Sequence, residues 1–156
     1  MSRQAIIFDC DPGVDDAFAL FLAFASPDDL DILGVTTVAG NVPAALTARN
    51  ARLIRQLAGR EDVPVYRGAE TPLGRPPVVA SHFHGESGLG DLPVFEPEAP
   101  EAPGHAAAFI AETVMRRPQG SVAMAVTGPM TNLALAMELE PRIAARLGTV
   151  VVMGGA

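Results

Sequence analysis

The chain has 156 residues, 49% of them hydrophobic, and a formal net charge of −7. That is enough for one core in a single domain, 1–156, with no basic surface to neutralise nucleic-acid phosphates. All eleven basic residues are Arg, which excludes a Walker lysine and a Schiff-base lysine; the lone Cys10 excludes an internal disulfide and a cysteine-based zinc site.

In chain order, residues 4–9 form a short apolar run that predicts a buried parallel strand. Four aspartates follow within eight residues, in Asp9-Cys10-Asp11-Pro12-Gly13-Val14-Asp15-Asp16. A tight Pro-Gly turn after a strand would crowd these carboxylates at the strand's mouth. Like charges so close need a cation or a shared proton, and oxygen donors without His or Cys favour calcium or magnesium. The bland alternative is helix capping by Asp, which would account for one or two of the four.

Residues 15–25 are apolar on every side and predict a buried helix. That run is too short to span a bilayer, and no basic region precedes an apolar stretch, so the protein is expected to be soluble and cytoplasmic, with no membrane partner. Residues 32–38 read as a second strand, ending at Ala39-Gly40-Asn41. Residues 43–58 read as a helix with Leu46, Leu53, Ile54 and Leu57 on one face and Arg49, Arg52 and Arg55 largely on the other. Residues 63–66 make a short third strand.

Residues 67–104 have no sustained period and read as a long active-site loop holding His82 and His84, with an extended Pro/Glu linker at 93–103. A helix over 104–117, a strand over 122–126, a helix over 131–139 and a strand over 149–153 complete the pattern. Alternating strands and helices predict a doubly wound, Rossmann-like parallel sheet with helices on both faces, about five strands and the order 3-2-1-4-5. In such sheets ligands bind beyond the carboxyl ends of the strands, where Asp11, Asp15, Asp16, Asn41, Thr127 and Met153 fall. The last strand, apolar on both faces, becomes an edge in this order and invites self-association.

The residues carrying chemistry are Asp9 to Ala17, Val38-Ala39-Gly40-Asn41, His84-Gly85, Thr127-Gly128-Pro129-Met130-Thr131-Asn132-Leu133-Ala134 and Val152 to Ala156. In this order they closely resemble the inosine–uridine-preferring nucleoside hydrolases, over essentially the whole chain. The resemblance implies calcium-dependent hydrolysis of a ribonucleoside to ribose and free base. It casts Asp11 as general base and calcium ligand, Asp16 as bidentate ligand and the Thr127 carbonyl as main-chain ligand. Asp15 and Asn41 resemble ribose-hydroxyl contacts, Met153 a residue lining the ribose pocket, and Asp9 a support behind the cluster. His84 matches a loop histidine that some members place near the leaving base.

Simpler readings stand beside several of these. Asn41 is also a plausible left-handed turn residue, His84 an ordinary exposed loop histidine, Met153 a core side chain and Cys10 a small buried filler. The family's second half supplies a late Asp for the calcium shell and an Asn/Glu/Asn ribose set, none of which has a counterpart here. The expectation is a truncated chain with under-coordinated calcium and impaired or absent turnover. Two other functions fit parts of the pattern. A haloacid-dehalogenase-type magnesium phosphatase also uses Asp-x-Asp after its first strand, although Lys is absent here. A non-catalytic calcium- or ribose-binding module is the third.

Overall fold

The computed structural model describes residues 3–74, 76 and 81–154. Five strands form one all-parallel sheet: β1 (Gln4–Cys10), β2 (Leu30–Thr37), β3 (Val65–Arg67), β4 (Val122–Val126) and β5 (Val150–Val152), in the order β3-β2-β1-β4-β5. Six helices connect or follow them: α1 (Val14–Phe24), α2 (Ala44–Leu57), α3 (Ser81–His84), α4 (Ala106–Arg116), α5 (Thr131–Leu139) and α6 (Ile143–Arg146). The predicted doubly wound sheet and its strand order are observed. Among the described residues no helix is long and apolar enough to cross a membrane.

Two apolar cores lie on opposite faces of the sheet. Ile7, Val122, Met124 and Val126 meet Ile110, Val114, Leu133 and Ile143 on one face. On the other, Phe8, Cys10, Val35 and Val65 meet Leu20, Phe24, Ala51 and Ile54. Alternation along β1 sends Ile7 one way and Phe8 the other, which is why a central parallel strand must be apolar throughout. Cys10 is a buried filler, as expected.

Register sets the level of the site. Asp9 pairs with Thr36 on one side and Val126 on the other, so the carboxyl ends of β1, β2 and β4 finish together. The β1–β2 register slips by one residue between Ile6 and Ile7, opposite Gly34. A side chain at Gly34 would strike the Phe109 ring, which stacks on Tyr66 with centroids 4.1 Å apart.

Three expectations change. Helix α1 is buried along one stripe only, through Asp16, Leu20, Ala23 and Phe24, while Phe18 and Leu22 are 76% and 71% exposed. An apolar composition buries a helix only where neighbours exist on every side, and α1 packs with one stripe against the sheet and α2. On α2, Leu57 is exposed, whereas Arg52 and Arg55 are buried.

Those two guanidiniums also correct the reading of the Pro/Glu stretch as a linker. Arg52 donates to the carbonyls of Pro97 and Ala99 and to Glu96, and Arg55 to those of Val63, Ala99 and Pro100. A proline-rich strand offers carbonyls but few N–H groups, and the planar Arg fork satisfies them while its stem packs against apolar neighbours. Helices α3 and α6 are short additions that the periodicity did not resolve.

Candidate active site

The turn after β1 brings the aspartates together in graded depth. Asp9 is wholly buried. Its Oδ1 accepts from the Thr36 hydroxyl at 2.6 Å and the Asn132 amide at 2.8 Å, and its Oδ2 has no hydrogen-bond partner. Its backbone carbonyl accepts from the N–H groups of Thr127 and Gly128, which ties the β4 turn to β1.

Asp11 stands one step outward. Its Oδ2 accepts from the Asn41 backbone N–H at 2.7 Å, and Asn41 Nδ2 donates back to the Asp11 carbonyl at 2.9 Å. Two glycines make room for its carboxylate. A Cβ on Gly128 would sit 2.8 Å from Asp11 Oδ1, and one on Gly40 would collide with Oδ2. Asp16, in the first turn of α1, is buried, and its Oδ2 accepts from the Asp11 N–H at 3.1 Å. The Thr127 hydroxyl lies near enough to Asp16 to favour its ionised form, yet completes no hydrogen bond of good geometry.

Burial dominates the electrostatics. Desolvation is the largest influence on each carboxyl and pushes Asp9 up to about 6, Asp11 up to about 7 and Asp16 above its ordinary value. Charge repulsion from Asp16 adds to the rise at Asp9 and Asp11, while His84 opposes the rise at Asp16. Among the described residues no Arg forms an ion pair with any of the three.

A cleft of about 370 Å³ opens over this turn, lined by Asp11, Asp15, Asn41, Thr127, Met130 and Met153 among others. Five of the eight sequence-predicted residues therefore share one wall-to-wall space. Asp16 and Asp9 lie behind it. Asn41 is not the left-handed turn residue of the simpler reading, since no non-glycine residue described has a positive φ. Met153 is exposed at the rim rather than in the core. His84 is not in the cleft lining; its Nδ1 accepts from the Val14 N–H at 3.4 Å, at the start of α1.

Buried carboxylates and a neighbouring threonine at a strand end make a hard, all-oxygen donor set, whose chemistry fits a calcium- or magnesium-like ion. Among the described residues no three His, Cys, Asp or Glu side chains gather into a metal cage. The donor chemistry fits, and the number of side-chain donors is low.

Sequence reasoning assigned no role to Asn132 or Asn50, both fully buried. Asn132 donates to Asp9 Oδ1 and to the Thr37 carbonyl, and accepts from the Ala69 N–H. Asn50 shares the inward stripe of α2 with Thr47, Ala51 and Ile54. A polar residue at that helical spacing was the available signal.

A doubly wound sheet with an acidic, glycine-lined cleft beyond its central strand defines a class: an α/β protein with its cleft at the carboxyl end of a parallel sheet. Comparison with known proteins narrows this. Residues 6–156 match the inosine-uridine preferring nucleoside hydrolase family. An uncharacterized protein of Schizosaccharomyces pombe is 46% identical over 97% of this chain and 48% of its own. The inosine-uridine preferring nucleoside hydrolase of Crithidia fasciculata is 42% identical over 97% of this chain and 48% of its own. The solved structure of a plant nucleoside hydrolase superposes with a TM-score of 0.93 at 36% identity, covering 99% of this chain and 49% of that one. The chain belongs to the inosine–uridine preferring nucleoside hydrolase family. It spans about half the length of the curated relatives it matches.

Proposed function

We propose that this chain carries the cation-binding and part of the ribose-binding surface of a calcium-dependent nucleoside hydrolase, which cleaves the N-glycosidic bond of ribonucleosides to give ribose and free base. One observation carries the reading: Asp11 is a buried carboxylate, squeezed between Gly40 and Gly128, that faces the cleft while Asp16 stands behind it. Such precise seating suits a group that must hold one orientation, and capping a helix does not demand it.

Asp11 and Asp16, with the Thr127 carbonyl, would hold the ion. When bound, calcium lowers the pKa of a coordinated water and so supplies a nucleophile at neutral pH. Asp11 would take the proton from the attacking water, its carboxylate oriented by the Asn41 N–H and by the space that Gly40 and Gly128 leave. The oxocarbenium-like transition state carries positive charge on the sugar, which Asp11 and Asp15 face with negative charge. Asn41 Nδ2 gives one hydrogen to the Asp11 carbonyl, which leaves its second N–H and its side-chain oxygen for a ribose hydroxyl. Asp15 takes a second hydroxyl, Met153 packs against the ring, and Asp9 steadies Asp11 from behind. His84 sits toward the leaving base. Residues 67–104 act as the active-site loop of a single α/β unit spanning 1–156.

Two carboxylates and one carbonyl leave positions around the ion to be supplied by water or by other protein groups, so turnover by these 156 residues alone is expected to be weak or absent. The exposed edge strand β5 supports self-association as a second property. Calorimetry with calcium on wild type, Asp11→Asn and Asp16→Ala, alongside ribose release from inosine and uridine, tests the reading. Calcium binding lost in both variants supports it. Absence of calcium binding in the wild type, or hydrolysis of p-nitrophenyl phosphate with magnesium, refutes it.

A further inference from the structure

We propose that Asn50 is a positioning residue: it clamps the His84-bearing loop onto the aspartate turn and so sets where His84 stands relative to α1. The inference deepens the hydrolase reading and rests on it only for the chemical task of His84.

The clamp is a closed circuit of hydrogen bonds. From the middle of α2, Asn50 Nδ2 donates to the Pro12 carbonyl at 3.1 Å and to the Ser87 carbonyl at 2.9 Å. Pro12 lies in the turn between Asp11 and α1, and Ser87 follows the His84 helix by three residues. One amide group therefore bridges two segments 75 residues apart in sequence. Both of its hydrogens are used and its oxygen accepts from Arg49, which also donates to the Ser87 carbonyl at 3.2 Å. No other neutral side chain of this size offers two donors and one acceptor at once.

The loop is shaped to receive it. Gly88 has φ +85°, and a Cβ there would stand 2.8 Å from Asn50 Nδ2 and 3.0 Å from Val42. Leu89 is buried beside it. The Gly90 N–H donates to the His84 carbonyl at 2.7 Å, which closes residues 84–90 into a compact turn. The far end of that turn carries the imidazole against the Val14 N–H. The circuit thus runs from α2 through Ser87 to His84, then through α1 back to Pro12. The longest step on that path, at 3.4 Å, is the one His84 makes with the Val14 N–H.

Asn50→Asp preserves shape and removes both donors, so it turns two hydrogen bonds into two repulsions. Gly88→Ala crowds the same contact from the loop side, against Asn50 Nδ2 and Val42, and keeps the test usable should Asn50→Asp unfold. The signature is spectroscopic. In the wild type the His84 ring accepts at Nδ1, which holds the neutral imidazole in the Nε2–H tautomer. In either variant the His84 ring ¹⁵N shifts are expected to move to the averaged values of a free histidine. Amides of residues 85–90 should exchange about tenfold faster or more, as expected when buried hydrogen bonds are lost locally. A merely structural Asn50 would lower the melting temperature and leave the His84 shifts of the folded protein unchanged, and that result overturns the proposal. Calcium binding by the wild type is read separately, so failure of the hydrolase reading is recognised independently of the clamp.

Discussion

The side-chain amide of Asn132, on α5, donates to Oδ1 of Asp9, on β1, at 2.8 Å across 123 residues of sequence. The same amide reaches the Thr37 carbonyl, and its oxygen takes the Ala69 N–H. Asn132 therefore joins the ends of β1 and β2 and the exit from β3 to a helix that starts beyond β4. Gly68 lies against it so closely that any side chain there would overlap the amide.

Replacing Asn132 with Ala leaves the Ala69 N–H without its partner, while the Thr37 carbonyl keeps the Gly68 N–H and Asp9 Oδ1 keeps the Thr36 hydroxyl. The expected loss of stability is about 2–4 kcal/mol, from three lost hydrogen bonds and one buried donor left unpaired. Urea unfolding of the two proteins measures it, and a change inside experimental error would show that the junction contributes nothing.

Stability of the cation-free protein should fall as pH rises. Asp9 and Asp11 have folded values of about 6 and about 7, above the ordinary carboxyl value of 3.8. The folded state therefore binds more protons than the unfolded chain between pH 4 and pH 7, and this stabilisation is complete below pH 4 and lost as pH climbs past 7. For Asp9 alone the swing is on the order of 3 kcal/mol. Melting curves in chelator at pH 5 and pH 8 should show the lower midpoint at pH 8, and Asp9→Asn should shrink the difference. A midpoint that rises with pH would contradict the burial-driven shifts.

Gly40→Ala is expected to displace the Asp11 carboxylate, because the new methyl group occupies its position. Calcium affinity should drop about tenfold or more while the far-ultraviolet spectrum is retained, since a ligand moved by a fraction of an ångström loses its geometry. Titration calorimetry decides; unchanged affinity would remove Asp11 from the ion site.

Arg55→Met tests the clasp on the proline-rich stretch. The variant keeps the apolar stem but gives up hydrogen bonds to three carbonyls, those of Val63, Ala99 and Pro100. A loss of about 2–3 kcal/mol and faster proteolysis within residues 93–103 are expected. Cleavage at the wild-type rate would mean that Arg52 alone holds the stretch.

Val151→Lys on the exposed edge strand should reduce self-association, because a lysine in the edge discourages strand pairing. Light scattering at matched concentrations compares the two proteins, and equal masses would place any contact elsewhere.

Much of this molecule was legible in one dimension. Apolar runs of strand length alternating with helices were enough for the parallel sheet and its order, because a buried strand must be apolar on both faces and crossovers have one hand. The cluster from Asp9 to Asp16 announced itself because local crowding of like charge is visible without coordinates. What stayed hidden was every relation depending on distant contact. The apolar faces of α1 look alike in sequence, and only packing against the sheet and α2 chose Leu20 and Phe24 over Phe18 and Leu22. Arg52 and Arg55 read as surface charges until the folded chain brought bare carbonyls to them. Asn50 shows only as a polar residue on the inward spacing of α2, and its partners and those of Asn132 are invisible in sequence, since an amide becomes a junction only when tertiary structure delivers donors and acceptors from separate segments to within 3 Å or so.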